Sequence, residues 1–127
     1  MSERFAIFIT KAPYDSRNPE TALQFCIAAV ENGHTVEQVF FYSAAIHTAS
    51  KLLLPNSDEL NQREAWKHFS TQYKVPLYVC STAATRRGLV SDDDMLDVNN
   101  YDPMFSAVGM IEYFAALRDP KLIGVQF

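Results

Sequence analysis

A chain of 127 residues, of which 48% are apolar and 20% charged, is long enough for one domain with a hydrophobic core. The net charge of −4 argues against the basic surface that nucleic-acid binding requires. No stretch approaches the ~18 continuous apolar residues of a membrane span, and "MSERFAIFIT" lacks the features of a signal peptide. We therefore expect a single cytoplasmic domain, 1–127, whose two cysteines form no disulfide.

The N-terminal part of the chain predicts one strand followed by one helix. "RFAIFIT" (4–10) is short, apolar and rich in β-branched and aromatic residues, which is typical of a strand buried on both faces. A turn-rich loop then leads to a predicted helix over 18–33. Asn18 fits the N-cap, Pro19 the first helical position and Gly33 the position just after the last turn.

The middle of the chain predicts a second strand and an amphipathic helix. "HTVEQVFFYS" (34–43) favours the strand. The next stretch, 44–57, is ambiguous and fits one helical turn followed by a loop that ends at Pro55. A helix is predicted over 58–74. The residues expected on its buried face are Leu60, Ala65, Trp66 and Phe69.

The C-terminal part of the chain continues the alternation of strands and helices. "LYVCS" (77–81) predicts a strand, and Ser91 with Asp94 resembles a capping box that starts a short helix. A last helix is predicted over 104–118 and a last strand over 121–127. Nearly all-apolar strands that alternate with helices predict an α/β fold, with a parallel sheet covered by helices on both faces.

Cys80 stands at the carboxyl end of a predicted strand, where α/β folds place their sites. If a helix begins directly afterwards, capped by Ser81 or Thr82, its first amides and its dipole favour an anion beside the sulfur. This position predicts a reactive thiolate. The alternative is a small residue packed under the helix, and position alone leaves the two interpretations open.

The remaining cysteine and the two arginines near Cys80 have simpler interpretations. Cys26 lies in the middle of a predicted helix among apolar residues, so we interpret it as a packing residue. Arg86 is expected about 9 Å from Cys80 along the helix axis, and Arg87 lies slightly further. At this distance, salt largely screens the interaction between exposed charges. We interpret them as cations at the helix C-terminus before Gly88, with docking of an acidic partner as the alternative.

Other chemistries find little support in the sequence. There is no C-x-x-C, and His34, His47 and His68 lack the spacing of metal ligands. The loop 11–17 contains no glycine, which excludes the usual phosphate-binding motifs. Acidic residues in the first turn of a helix explain "SDDD" at 91–94. No metal or cofactor is expected, and His47 is expected to border the Cys80 site without a catalytic role.

Several stretches of the sequence resemble the DsrE/TusD family of small sulfur-relay proteins. They are "FAIFITKAPYDS", "ALQFCIAAVENGHTVEQVFFY", "PNSDE", "VCSTAATRRG" and the final "VQF", together with Trp66. The resemblance implies a three-layer α/β/α fold with a five-stranded, mainly parallel sheet. It also implies that Cys80 carries sulfane sulfur as a persulfide. The chain differs from the family pattern at "SAAIH", at "SAVGM" and over 91–105.

The resemblance further implies protein partners. Relatives work in heterohexamers with TusB-like and TusC-like subunits, taking sulfur from a TusA-like donor and passing it to a TusE-like acceptor for 2-thiolation of the tRNA wobble uridine. The alternatives are a DsrE-like subunit for sulfur oxidation, a non-catalytic scaffold subunit, or a flavodoxin-like binder, which the missing phosphate loop disfavours. Leu52, Leu53 and Leu54 are expected either to mark a partner contact or to pack on the sheet edge.

Overall fold

The computed structural model describes residues 2–90 and 99–127 of the chain. The strands in these ranges are β1 (Arg4–Ile9), β2 (Thr35–Phe41), β3 (Leu77–Cys80), β4 (Phe105–Val108) and β5 (Leu122–Gln126). The helices are α1 (Asn18–Glu31), α2 (Gln62–Tyr73), α3 (Ser81–Arg86), α4 (Met110–Ala116) and a 3-10 helix (Ser43–Ala49). None of these helices is long and apolar enough to cross a membrane. The capping box expected at Ser91 and Asp94 lies outside the described residues.

The five strands form one sheet in the order β4-β3-β2-β1-β5, and all neighbouring strands are parallel. The interior strands β1 and β2 supply much of the core, including Ile7, Ile9, Val39, Phe40 and Phe41. Because parallel strands all point the same way, the carboxyl ends of β2, β3 and β4 meet at one edge of the sheet. The expected α/β fold with a five-stranded parallel sheet is confirmed.

The expectation of one helix over 104–118 is wrong in its first part. Phe105–Val108 forms the edge strand β4, which pairs with β3 along its whole length. The helix begins only after Gly109, at Met110. A short apolar run fits a strand or a buried helix equally well, and hydrogen bonding to the open side of β3 decides between them here.

The ends of α1 agree only in part with the sequence pattern. Asn18 is the first helical residue and not the N-cap, a position that Arg17 occupies without a side-chain cap. The backbone N–H of Asn18 is satisfied instead by Ser16 Oγ, at 3.1 Å. Pro19 is the second helical residue and not the first, one position later than expected, but it still lies in the first turn, where its missing N–H costs no hydrogen bond. Gly33 follows the helix with φ +85°, a left-handed conformation that glycine adopts without strain.

The start of α2 lies later than predicted. Asn61 is its N-cap, because its side-chain oxygen accepts a hydrogen bond from the N–H of Glu64 at 3.1 Å. Leu60 therefore precedes the helix and is 51% exposed, so its placement on the buried face was wrong. Trp66 and Phe69 are buried as predicted.

The ambiguous stretch 44–57 combines helix and loop. It begins within the 3-10 helix and continues as irregular chain to the N-cap of α2. The 3-10 helix packs under α3, since Ala45 and Ile46 are fully buried. In the loop, Leu52 is 69% and Leu54 85% exposed. These two leucines therefore do not pack on the sheet edge.

A buried carboxylate fixes the segment that leads into β4. Asp102 Oδ2 lies 2.9 Å from Lys67 Nζ and 3.5 Å from Arg63 Nε, both on α2. Its Oδ1 accepts a hydrogen bond from the N–H of Met104 at 3.0 Å. The N–H of Asp102 donates to the carbonyl of Ala49 at 2.8 Å. These contacts join α2 and the 3-10 helix to the segment that precedes β4.

Asp102→Ala should lower the free energy of unfolding by roughly 2 kcal/mol, because two cations lose a buried counter-charge. The cost stays below that of a fully buried pair since Lys67 remains partly exposed. Urea denaturation followed by circular dichroism measures it. The control is Asp119→Ala, which removes a more exposed partner of Arg4. Equal losses in the two variants contradict a special role for the buried carboxylate.

Candidate functional site

Cys80 is the last residue of β3 and the N-cap of α3, so strand and helix meet at this residue. Its φ of −66° and ψ of 118° are extended, and the helix begins at Ser81. The expectation that Ser81 or Thr82 caps the helix is wrong, because both residues lie inside α3 and Cys80 itself occupies the N-cap position. The Cys80 side chain makes no capping hydrogen bond with the first turn. The predicted strand-end position of the thiol is confirmed.

Cys80 lies in the wall of a cavity of ≈ 310 Å³ at the carboxyl edge of the sheet. Its wall is formed by the residues after β2, by the end of β3 with α3, and by the first residue of α4. The residues that line it are Tyr42, Ser43, Cys80, Thr82, Ala83, Arg86, Arg87 and Met110. The Cys80 residue is only 5% exposed. A reagent that reaches the sulfur must therefore come through this cavity.

Arg86 and Arg87 line the same cavity as Cys80, although they follow it by six and seven residues. Helical spacing explains this, because residues three or four apart share a face, and Cys80, Ala83 and the two arginines follow that spacing. Arg87 Nη2 also donates a hydrogen bond to Ser43 Oγ at 3.4 Å. The arginines end the helix before Gly88, as expected, but they belong to the site as well.

Ser43, which lines the cavity, has an unusual backbone conformation. Its φ is +55°, in the left-handed region that residues other than glycine rarely adopt. This conformation turns the chain sharply from the end of β2 into the 3-10 helix and brings the hydroxyl next to Arg87. Backbone strain of this kind persists where surrounding structure holds it, and such strain concentrates at functional sites.

His47 lies on the 3-10 helix and is half-buried, close enough to Arg87 for the charge of the guanidinium to act on it. Burial lowers the pKa of His47 below its usual 6.5, the positive charge of Arg87 lowers it further, and Asp15 acts in the opposite direction. His47 is therefore neutral at neutral pH. It is not among the residues that line the cavity.

The other candidate residues lie away from the cavity. Cys26 is 0% exposed in the core, where burial raises the pKa of its thiol to about 12, and its prediction as a packing residue is confirmed. His34 Nδ1 accepts a hydrogen bond from the N–H of Glu3 at 3.0 Å, and His68 is exposed on α2. Within residues 2–90 and 99–127, no group of three or more acidic, histidine or cysteine side chains is placed to hold a metal ion.

Four residues of the cavity wall were not predicted from the sequence. Ala83 lies on α3 itself, and the other three, Tyr42, Ser43 and Met110, come from other parts of the chain. They follow β2 and begin α4, so their proximity to Cys80 depends on strand order. The ends of adjacent parallel strands are the signal that points to Tyr42 and Ser43. Met110 could not be found in this way, because the strand before it was assigned to a helix.

The fold is a parallel α/β fold with a cysteine at the end of a strand. The chain belongs to the DsrE/DsrF-like family, whose family model matches residues 3–119. Among curated relatives, the sulfurtransferase TusD of Buchnera aphidicola subsp. Acyrthosiphon pisum (strain 5A) is 32% identical over 118 residues, which cover 90% of this chain and 92% of the relative. The sulfurtransferase TusD of Salmonella newport (strain SL254) is 36% identical over 111 residues, which cover 84% and 87%.

The fold is also similar to a solved structure. The crystal structure of the ychN protein from E. coli superposes with a TM-score of 0.74 over 97% of this chain and 99% of that one. Its sequence identity is 20%, so this likeness shows the fold alone. Family membership and the sulfurtransferase class, both expected from the resemblance, are confirmed by the family model and the curated relatives. The role of Cys80 stays a prediction.

Proposed function

We propose that Cys80 carries sulfane sulfur as a persulfide, taking it from a TusA-like donor and passing it to a TusE-like acceptor for 2-thiolation of the tRNA wobble uridine. One observation carries the proposal: of the two cysteines in the sequence, Cys80 lines a cavity at the carboxyl edge of the sheet, whereas Cys26 is enclosed in the core. The names of the curated relatives support sulfur transfer as the reaction. A cytoplasmic location goes with this role and stays a prediction.

The reaction is two successive thiol exchanges. The Cys80 thiolate attacks the outer sulfur of the donor persulfide, the donor's S–S bond breaks, and its electron pair returns to the donor thiolate. The acceptor thiolate then attacks the outer sulfur held on Cys80, whose own sulfur leaves as the thiolate. Each step conserves electrons and needs neither a metal nor a nucleotide.

The cavity suits this chemistry in two ways. The guanidinium groups of Arg86 and Arg87 line the same cavity as the sulfur, and the deprotonated persulfide of a donor is an anion that such groups can bind. The near-complete burial of Cys80 also limits the access of water and of small oxidants to the persulfide. A sulfur that lines a cavity at the edge of the sheet can be reached by a carrier protein that presents its own cysteine at this edge.

Exposed apolar side chains support a multi-subunit assembly with TusB-like and TusC-like partners, which we expect to be a heterohexamer. Leu52 and Leu54 project from the loop before α2, while Ile111 is 83% and Phe114 53% exposed on α4. Surfaces of this kind are costly to leave in water and often mark protein contacts.

Co-expression with TusB-like and TusC-like subunits should yield one comigrating species on size-exclusion chromatography. Leu52→Glu combined with Leu54→Glu should shift that species toward free subunits, because burying two carboxylates in an apolar interface is unfavourable. Lys51→Glu, an exposed change in the same loop, is the control. Recovery of a monomer that transfers sulfur as fast as the mixed sample contradicts the need for an assembly.

A persulfidated TusA-like donor tests the proposed transfer itself. Mixing it with this protein should discharge the donor and load Cys80, and adding a TusE-like acceptor should then unload it. Both events change the intact mass by about 32 Da per sulfur. A donor that keeps its sulfur in the presence of the complete assembly points to a scaffold subunit and contradicts the proposal.

A further inference from the structure

We propose that the Cys80 cavity also binds a small sulfur oxyanion, and that the protein transfers its sulfane sulfur to sulfite and releases thiosulfate. The inference rests on the proposed persulfide at Cys80. It adds a low-molecular-weight acceptor to the protein carriers.

The charges of the cavity wall favour an anionic ligand. The ionised side chains in the wall, Arg86 and Arg87, are both cationic, and no carboxylate from the described residues joins them. Neither guanidinium lies within 4.0 Å of a carboxylate in the described part of the chain. Planar guanidinium groups bind oxyanions through paired, charge-assisted hydrogen bonds. The hydroxyl groups of Ser43 and Thr82 add neutral donors to the same wall.

The size of the cavity and the position of the sulfur favour a small ligand. A volume of ≈ 310 Å³ lies at the lower end of the range of small-molecule sites. It accommodates an anion of four or so heavy atoms beside a persulfide. Since Cys80 and both arginines line this cavity, an oxyanion held by the guanidinium groups occupies the same small space as the sulfane sulfur.

The transfer to sulfite balances without a further reactant. The sulfur lone pair of sulfite attacks the outer sulfur of the Cys80 persulfide and forms the S–S bond of thiosulfate. The bond between the outer sulfur and Cys80 Sγ breaks, and its electron pair stays on Sγ as the thiolate. Sulfite is thereby oxidised to thiosulfate, and the sulfane sulfur is reduced. The reverse step loads Cys80 from thiosulfate and releases sulfite.

Discharge of the loaded protein by two nucleophiles tests the inference. The protein is loaded with polysulfide, freed of excess reagent and mixed with either sulfite or dithiothreitol, and rates are expressed per loaded sulfur. Sulfite should remove about 32 Da and yield one thiosulfate per sulfur, measured by ion chromatography. Dithiothreitol attacks as a thiolate and has no oxyanion group, so it forms no paired hydrogen bonds with the guanidinium groups.

The double variant Arg86→Ala and Arg87→Ala separates anion binding from general reactivity. The ratio of the sulfite rate to the dithiothreitol rate should fall at least about tenfold, as expected when charge-assisted hydrogen bonds to an oxyanion are lost. Arg118→Ala, an exposed arginine on the chain after α4, should keep the wild-type ratio. An unchanged ratio in the double variant overturns the inference. The double variant could also transfer sulfur more slowly to a protein carrier while the ratio of the sulfite rate to the dithiothreitol rate stays unchanged. This result overturns the inference too, and it indicates that the arginines bind the carrier.

Sulfate provides a second measurement that involves no sulfur transfer. As an unreactive oxyanion, it should slow alkylation of Cys80 by uncharged iodoacetamide at constant ionic strength, whereas chloride should not. The double arginine variant should lose this protection. Equal alkylation rates in sulfate and chloride overturn the proposed anion binding.

The outcomes distinguish this inference from the function on which it rests. Loading from polysulfide with no loading from the TusA-like donor contradicts the proposed relay alone. Loading from the donor with no discharge by sulfite contradicts the inference alone. A protein that takes no sulfur from either reagent contradicts both.

Discussion

Replacing Cys80 with serine is expected to abolish sulfur loading from a persulfidated carrier. Serine fills nearly the same space in the cavity wall, but its hydroxyl is not ionised at neutral pH and forms no persulfide. The wild-type protein should gain about 32 Da per sulfur, and Cys80→Ser should gain nothing, in an intact-mass measurement. The effect is all or none, because no other residue of the cavity wall is a thiol.

Cys26→Ser is the matched control for this experiment. The Cys26 thiol is enclosed in the core, and burial raises its pKa to about 12, so it contributes almost no thiolate near neutral pH. The variant should load as the wild type does, with circular dichroism verifying its fold. Loading that persists without the Cys80 thiol, or that disappears in a folded Cys26→Ser protein, contradicts the assignment.

Trp66→Ala should cost about 3–5 kcal/mol of unfolding free energy, because it empties a large volume in the core. Trp66 is 0% exposed and packs edge-on against Phe41 and Phe69, with ring centroids 5.4 and 6.1 Å away. Such a loss takes up much of the ~5–15 kcal/mol by which domains are stable. Guanidinium denaturation monitored by far-UV circular dichroism measures it.

Trp66→Ala should also reduce sulfur loading at Cys80 when the temperature is raised. Phe41 ends β2, and the next two residues, Tyr42 and Ser43, belong to the cavity wall. Sulfur loading should therefore fall in parallel with unfolding. His68→Ala, an exposed change on the same helix, is the control and should shift stability little. A loss below about 1 kcal/mol for Trp66→Ala contradicts its role in joining α2 to the sheet.

The sequence indicated most of the sheet because its interior strands are distinctive. β1 is a short run rich in β-branched and aromatic residues, and β2 ends in Val39, Phe40 and Phe41. Both are bounded by turn residues, and this composition favours a buried strand over a helix. The strand Phe105–Val108 has no such signal, since two of its residues are exposed at the edge of the sheet. Its pairing with β3 is a tertiary contact, which local composition does not encode.

The candidate site was predictable in part for a similar reason. The position of Cys80 follows from parallel topology, because every strand of such a sheet delivers its last residue to the same edge. The spacing of Cys80, Ala83 and the two arginines also carried the information that they share a helix face. The distance of about 9 Å between Cys80 and Arg86 along the helix axis had favoured a position of the arginines outside the site. The left-handed conformation of Ser43 had no signal in its residue type.

Isotopically labelled sulfane sulfur tests Cys80 as the carrying residue most directly. A TusA-like donor bearing the label is mixed with the wild-type protein, the reaction is stopped by alkylation, and the peptides are mapped by mass spectrometry. We predict that the label is found on the peptide containing Cys80, is absent from the peptide containing Cys26, and moves to a TusE-like acceptor when that is added. Label that reaches the acceptor without ever occupying Cys80 would contradict the proposed persulfide relay.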